Sequence, residues 1–496
     1  MNKWYLMLIV IWFNSPSSYA QDEFSNIEGK IAAYLKIKAD TTHNSALKKD
    51  GSWSDIDYFS RSGTNWEPLL HLTRIKQLTL QSEVHDKQKI ISSLRYWMSV
   101  NPKSSNWFQN DIACPTLIGE ILVLLNRTSI LPVSLRDSLL IRMDQGNVVK
   151  AVGANKLDIA VHMIYRACIT SDKVLMDFAV NQAFLPINLD DNEGLQPDFS
   201  YRQHGPQLQI ASYGQVFLIG AYKVASWLKD TSYALSPEKL NILNQYLIHT
   251  YLKTIRGRYI DFNTEGRGIS RNDVLDKKNI TKGVSNKSLL SLAKLVSPQH
   301  ATVLEEAELR ILEVRPSSYK LDSIHSYFYK SDYTIHSRPA YNFNIRTVSK
   351  RTIRTETGNK ENLNGKFLPD GSTNIQLRGD EYFNIMPIWE WDKVPGITAR
   401  DYVKDQQTTL EWGERGLGEF TGGVSDGRYG ASVYELNYNE VTAKKAWFFF
   451  DEEVVCLGAG INSFAKEPII TAVNQAWGRG DVKALFNDKL INIVGT

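Results

Sequence analysis

The sequence has 496 residues, enough for two domains or more, with 57 lysines and arginines against 54 acidic residues and a formal net charge of +3. That balance argues against a nucleic-acid binder working through a basic surface, so any affinity for a polyanion has to be local. Three cysteines, Cys114, Cys168 and Cys456, are too sparse for a disulfide framework or a zinc motif; each lies in apolar surroundings and reads as core.

Residues 1–20 read as a secretory signal: Lys3 supplies the positive start, Leu6 to Phe13 is apolar, and Ser18-Tyr19-Ala20 has the small-x-small form of a cleavage site. The apolar run falls short of the roughly 20 residues a membrane span needs, and no later segment is long and apolar enough either. Cleavage after Ala20 removes Lys3 and leaves +2 (3 − 1), with a secreted or periplasmic product expected. The 12 Trp, 23 Tyr and 19 Phe hint at sugar stacking, because flat rings pack on the apolar faces of sugars.

From about residue 25 to 310 apolar residues recur at three- and four-residue steps, as in Leu117–Leu125, Asp158–Cys168, Tyr213–Trp227, Leu240–Tyr251 and Ser288–Val296. From about residue 325 the pattern changes. Phe343–Arg354 has the β-branched enrichment of a strand, and Ala446–Phe450 and Val454–Ile461 read as buried strands around an Asp-Glu-Glu turn. Helices first and strands second make an α+β multidomain chain. The expected parts are a signal at 1–20, a helical domain at 21–315 and an antiparallel β domain at 325–496.

The chain is organised around residues 196–217. His204 and Tyr213 lie nine apart across a Gly205-Pro206 break that stops a continuous helix. His204 is therefore expected on a loop and Tyr213 at a helix mouth, a plausible proton-transfer pair. A lone His and Tyr serve equally well as packing residues. Other stretches are similarly double-edged. Trp107 and Phe108 beside amides suit a sugar platform or a core. Gly153 to Asp158 precedes a helix with Asp158 as a possible N-cap, leaving Asn155 a loop amide. Arg267 and Arg271 sit in a glycine-rich frame that binds an anion or is merely solvated. Glu361 reads by default as a turn charge. Glu390, Asp392 and Asp401 gather hard oxygen ligands that suit calcium better than zinc.

Together these stretches resemble the family-8 polysaccharide lyases, most closely bacterial chondroitin AC lyases. The residues that carry the resemblance are Asn-Trp-Phe-Gln-Asn at 106–110, Gly-Ala-Asn-Lys-Leu-Asp at 153–158, Gln-His-Gly-Pro-Gln-Leu-Gln-Ile-Ala-Ser-Tyr-Gly at 203–214 and Gly-Arg-Gly-Ile-Ser-Arg at 266–271. Arg338-Pro339-Ala340-Tyr341, Gly-Asn-Lys-Glu-Asn at 358–362 and Trp-Glu-Trp-Asp-Lys at 389–393 extend it. Phe108 departs from the pattern, which has a second Trp there.

The resemblance implies an N-terminal (α/α) toroid followed by an antiparallel β-sandwich domain. Further β structure is expected beyond Thr496, so the sequence reads as a partial chain. It also implies β-elimination at a glucuronate. The C5 proton leaves, the C4–O bond breaks and a C4–C5 double bond forms. In that scheme Asn155 and His204 neutralise the uronate carboxylate and Tyr213 takes the proton. A free phenol ionises well above neutral pH, so Arg267 supplies the cation that eases it. Glu361 orients the His204/Arg267 set, Arg271 binds substrate, and Trp107, Phe108 and Trp412 line the sugar cleft. Glu390, Asp392, Asp401 and the carbonyl of Tyr402 match a structural Ca²⁺ site. The expected partner is a glycosaminoglycan, chondroitin sulfate with hyaluronan second, acted on by a monomer.

Three rivals stand beside this reading. A glycoside hydrolase needs two carboxylates, and these motifs offer one acid among His, Tyr, Arg and Asn. A non-catalytic glycan binder has no reason to keep Asn155, His204, Tyr213 and Arg267 together. The third lies inside the family, a hyaluronate or xanthan lyase, and the match over the second domain favours chondroitin sulfate as main substrate.

Overall fold

The structure, a computed structural model, describes residues 16–493 except 39, 41, 82–86, 127, 129, 283–286, 402–409, 411 and 481. Tyr402 and most of the signal segment therefore lie outside the described residues. Backbone contacts divide the chain into two units, the first formed by residues 1–149, 158–183 and 227–234, the second by 150–157, 184–226 and 235–496.

The first unit is helical. Pro16–Leu35, Pro68–Gln81, Lys87–Val100, Cys114–Asn126 and Val133–Met143 are its helices, together with most of Gly153–Thr170 and Lys173–Phe184. The helix Cys114–Asn126 is central: it packs on those at 16–35, 68–81 and 133–143. Its residues Ile118, Ile121, Leu122 and Leu125 are buried, the three- and four-residue spacing of one helix face. Gly119 permits the close approach, since a Cβ there would stand 2.5 Å from the Tyr165 ring. Among the described residues no helix is long and apolar enough to cross a membrane.

The second unit joins the later helices to the strands. Ser236 caps the helix Pro237–His249 by accepting from Lys239 N, with Pro237 at the first turn; Ser288 caps Leu289–Val296 in the same way. One antiparallel sheet runs Ile324–Phe328, Tyr333–Ser337, Asn342–Arg346, Ser372–Gln376, each strand beside its sequence neighbour. A second runs Thr421–Ser425, Gly430–Tyr438, Val441–Phe449, Val454–Ser463. Phe343 and Ile345 of the first sheet share a core with Tyr434, Leu436, Trp447 and Phe449 of the second. Strand Val441–Phe449 alternates inward and outward, and its inward Lys445 is buried, which pulls its ammonium down to about 8.

Four readings of the sequence change. Strand Asn342–Arg346 stops eight residues before Arg354, because Thr347, Ser349 and Thr352 turn to bond Asp332 instead of a ladder. Val454–Ser463 forms the expected hairpin with Val441–Phe449 but is exposed along most of its length, as the last strand of its sheet. Cys456 rides on that strand and is exposed, while Cys114 and Cys168 are buried. Asp158 lies inside the helix Gly153–Thr170 rather than at its cap, and Asn155 sits in the first helical turn rather than in a loop.

Candidate active site

The segment before Tyr213 is shaped by its backbone. His204 holds φ at +62°, the left-handed region that favours glycine. Glu193 secures it from both sides, accepting from Gln203 Nε2 at 2.6 Å and from Gly205 N at 2.6 Å. Ile353 N donates to Pro206 O at 2.9 Å, which ties this turn to the strand-rich half of the unit. Tyr213 is the first residue of the helix Tyr213–Leu228, and Gly214 N donates to Gln209 O at 2.9 Å. A Cβ on Gly214 would fall 2.1 Å from the Tyr246 hydroxyl, so only glycine lets this helix start here. The loop position of His204 and the helix-mouth position of Tyr213 are as the sequence reading expected.

Arg267 arrives from a different direction. The Gly266–Ser270 segment is a 3₁₀ turn, not a flexible frame, and the Arg267 side chain is only 15% exposed. Its Nη2 donates to the Tyr213 hydroxyl at 3.3 Å, and its Nη1 donates to Glu356 Oε1 at 2.7 Å. The other Glu356 oxygen accepts from His204 Nδ1 at 2.6 Å, and Gln209 Nε2 adds a 2.9 Å bond to Oε1. The His204 ring stands edge-on to the Tyr213 ring at 4.7 Å, and the Trp412 ring lies tilted to it at 5.2 Å. Tyr213, Arg267, Glu356 and His204 thus form one hydrogen-bonded cluster.

Glu356 is the anchor of that cluster. Its side chain is 1% exposed. Burial alone pushes its carboxyl up, but the bonds and charges of His204 and Arg267, with Gln209, hold it below the ordinary carboxylate value. Burial, the largest single influence, pulls the Arg267 guanidinium down, but the charge and bond of Glu356 together with those of Tyr213 raise it overall. Both groups are therefore fixed in their charged forms. Arg346 braces the two loops that carry them, donating to Asn263 O at 3.1 Å and to Arg354 O at 2.7 Å.

This corrects the role expected of Glu361. Asn359 and Lys360, both at positive φ, make a tight turn closed by Glu361 N donating to Gly358 O at 2.8 Å. The turn points Glu361 at the arginines. It accepts a fork from Arg271 at 2.6 and 3.0 Å and stands 3.3 Å from Arg267 Nε. His204 is bonded to Glu356 instead. Glu356 carries little local signal, since Arg-Thr-Glu-Thr at 354–357 lies between a strand-like stretch and a glycine turn. A Glu between two Thr in a segment leading out of a buried strand was the available signal.

The remaining candidates are distributed. Asn155 lies in the first turn of its helix; Gly153 there packs on Gln203, where a Cβ would fall 2.3 Å from Oε1, so that turn adjoins the segment before His204. Trp107 and Phe108 belong to the first unit, 51% and 38% exposed, edge-to-face at 6.2 Å just before a π-helical turn at Gln109–Ala113. Their exposure favours the platform reading over core packing. Of the calcium candidates, Glu390 and Asp401 converge on the Lys393 ammonium, with Asp401 at 3.3 Å. Asp392 is half-buried beside them and Tyr402 is outside the described residues. Among the described residues no group of three or more His, Cys, Asp or Glu is gathered tightly enough for a metal.

The family model for the polysaccharide lyase family 8 N-terminal α-helical domain matches residues 18–307, and that for the family's super-sandwich domain matches 323–490. The chain belongs to polysaccharide lyase family 8. It is 51% identical over 447 residues to the chondroitinase-AC of Pedobacter heparinus, covering 88% of this chain and 63% of that protein. It is 23% identical over 545 residues to a xanthan lyase of a Bacillus species, covering 95% of this chain and 57% of that one. A solved chondroitinase AC lyase, studied with oligosaccharides, superposes with a TM-score of 0.89 at 47% identity over 93% of this chain and 70% of the other. The Streptomyces coelicolor chondroitin AC lyase shares the fold at a TM-score of 0.75 and 19% identity, over 95% of this chain and 73% of that one. A helical domain followed by an antiparallel β-sandwich domain is the fold of the family. The chain spans 63% of the length of its Pedobacter relative.

Proposed function

We propose that this chain is a chondroitin AC-type lyase that cleaves chondroitin sulfate, and hyaluronan second, by β-elimination at glucuronate. Two observations carry the reading: a relative named chondroitinase-AC is 51% identical, and this chain assembles Tyr213, Arg267, Glu356 and His204 into a single cluster. The C5 hydrogen beside an ionised carboxylate is a poor acid, so the carboxylate has to be neutralised and the developing enolate-like charge stabilised. His204 donates Nδ1–H to Glu356, which leaves Nε2 as the ring nitrogen for the uronate carboxylate; Asn155 donates to the same group. Tyr213, its phenolate stabilised by Arg267, takes the C5 proton. The C5–H electrons form the C4–C5 double bond while the C4–O bond breaks toward oxygen. The C5 hydrogen and C4 oxygen of a glucuronate share a face, so Tyr213 returns the proton to the leaving oxygen. Arg271 binds substrate, Trp412 stacks on a sugar beside His204, and Trp107 and Phe108 serve as a second platform.

In the same proposal the protein is a secreted or periplasmic monomer, with residues 21–315 and 325–496 as its helical and β domains. The oxygens of Glu390 and Asp401, already drawn to one point by Lys393, suit a hard cation. With Asp392 and the Tyr402 carbonyl they would hold Ca²⁺ once the ammonium swings away. That ion supplies stability to the loop and no step of the reaction.

Incubation with chondroitin sulfate tests the reading. Ultraviolet absorbance is expected to rise as conjugated unsaturated uronate ends form. New reducing ends without absorbance would mean hydrolysis, and binding without new ends a glycan-binding module.

A further inference from the structure

The cluster draws on three segments: the mouth of the Tyr213 helix, the 3₁₀ turn Gly266–Ser270 that carries Arg267, and the stretch after strand Asn342–Arg346 that carries Glu356. Gln209 meets all three. Its backbone is pinned at both ends, with its N–H donating to Tyr201 O at 2.9 Å and its carbonyl accepting from Gly214 N at 2.9 Å in the first turn of the Tyr213 helix. Its Nε2 donates to Glu356 Oε1 at 2.9 Å, the same oxygen that accepts from Arg267 Nη1 at 2.7 Å. Its amide packs against Gly266, where a Cβ would stand 2.5 Å from Oε1 and 2.7 Å from Nε2. Gly266 also holds φ at +55°, so backbone and neighbour both require glycine just before Arg267.

Packing alone does not explain a glutamine here. The residue is wholly buried, and its Oε1 finds no donor in the protein. A buried acceptor without a donor opposes folding, and an apolar side chain of the same length would avoid that cost. Turning the amide over is worse, since Oε1 would then face the ionised Glu356 carboxylate. The unsatisfied oxygen is the consequence of aiming Nε2 at Glu356. We propose that Gln209 is a positioning residue for the elimination: it holds the Glu356 carboxylate and the Gly266 turn against the start of the Tyr213 helix, and so sets the reach of Arg267 to the Tyr213 hydroxyl. That reach is 3.3 Å from Nη2. Gln209 acts through Glu356 and Arg267. The catalytic consequence rests on the lyase reading; the bond between Gln209 and Glu356 does not.

The test reads kcat and KM from ultraviolet absorbance on chondroitin sulfate, and the urea midpoint, for one set of variants of the whole chain. Gln209→Met keeps the length of the side chain and removes the donor. Its kcat is expected to fall at least tenfold with KM within twofold of the parent, since a misplacement of ~1 Å can cost about 10² in rate. In a Glu356→Gln background the same change is expected to cost less than threefold, because the group it acts through is already gone. A kcat within threefold of the parent, a loss confined to KM, or equal losses in both backgrounds assigns Gln209 to packing and overturns the proposal. Gln209→Glu differs from the parent by one atom and answers for any disturbance by the methionine. It sets acceptor against acceptor, so the urea midpoint is expected to drop, and combining it with Glu356→Gln is expected to recover at least half of that drop by rebuilding one amide–carboxylate bond. No recovery removes the bond and the proposal with it. No absorbance from the parent, with the midpoint recovered, removes the lyase reading alone; absorbance from the parent with parental kcat in Gln209→Met removes the positioning role alone.

Discussion

Glu356 and Glu361 lie five residues apart and both meet Arg267, yet they occupy different regions of the site. Glu356 belongs to the buried floor, 1% exposed, with His204, Arg267 and Gln209 on its two oxygens. Glu361 belongs to the rim, 21% exposed, and its main partner Arg271 is 54% exposed. Water screens the rim pair, so its contribution is small, about 0–1 kcal/mol. On the floor, removing one partner leaves a buried charge uncompensated, a loss of about 3–5 kcal/mol. The lesson is that a carboxylate's role follows its depth and the number of groups it holds, more than its distance along the chain.

The sharpest way to break this contrast is at the group the floor serves. Tyr213→Phe keeps the ring and loses the hydroxyl that Arg267 reaches. Turnover is expected to fall by about 10²–10⁴, the usual span of general acid–base catalysis. Affinity for oligosaccharide, measured by calorimetry, is expected to stay within threefold. Turnover near the parent value would remove Tyr213 as the base.

Arg267→Lys tests the floor next. Lysine keeps the charge but cannot reach Glu356 and Tyr213 with two arms of one planar fork. A fall in kcat of at least tenfold is expected with KM little changed. A change in KM alone would move Arg267 to a substrate-binding role.

Acid stability separates the floor from another buried polar pair. His325 and His336 face each other across paired strands, Nδ1 to Nδ1 at 3.3 Å, and burial first, then Arg338, lowers them to about 4 and about 3. The unfolded chain takes up these protons first, so their neutral burial contributes fully above the ordinary 6.5 and is lost as the pH falls toward 4. Glu356 adds a second loss only below its ordinary 4.5, as the pH drops through its depressed folded value. Melting temperature is therefore expected to begin falling near pH 6, and His336→Gln is expected to make that first limb shallower, since buried His71 and His162, lowered to about 4, also contribute to it, without touching the second. A parent curve flat between pH 6.5 and 4.5 would contradict the histidine assignment.

The smallest effect is expected at the cation loop, where all partners are partly exposed. Glu390→Ala is expected to lower the melting temperature by a few degrees only when calcium is present. Equal parent curves with and without calcium would remove the ion from the account.

The helix-then-strand order was legible because periodicity reports which face is buried, and His204 and Tyr213 were placed correctly because a Gly-Pro break and an apolar run are local signals. The role of Glu356 was not legible. Its partners lie 152 and 89 residues away, so only the fold brings them together. Asn155 reads as a loop amide because Asp158 resembles a cap, yet the helix begins five residues earlier at Gly153, which holds φ at +51° and leaves no room for a Cβ beside Gln203. Cys456 read as core because its strand is apolar, but strand character does not say whether a second layer covers it.

The most direct test compares initial rates of ultraviolet absorbance on chondroitin sulfate for the parent, Glu356→Gln and Glu361→Gln in one experiment. Both changes are isosteric and remove one negative charge. Glu356→Gln is expected to lose at least a hundredfold, since His204 and Arg267 lose their common anchor, and Glu361→Gln to stay within tenfold of the parent. Equal losses, or a greater loss at Glu361, would contradict the assignment of Glu356 as the residue that orders the site.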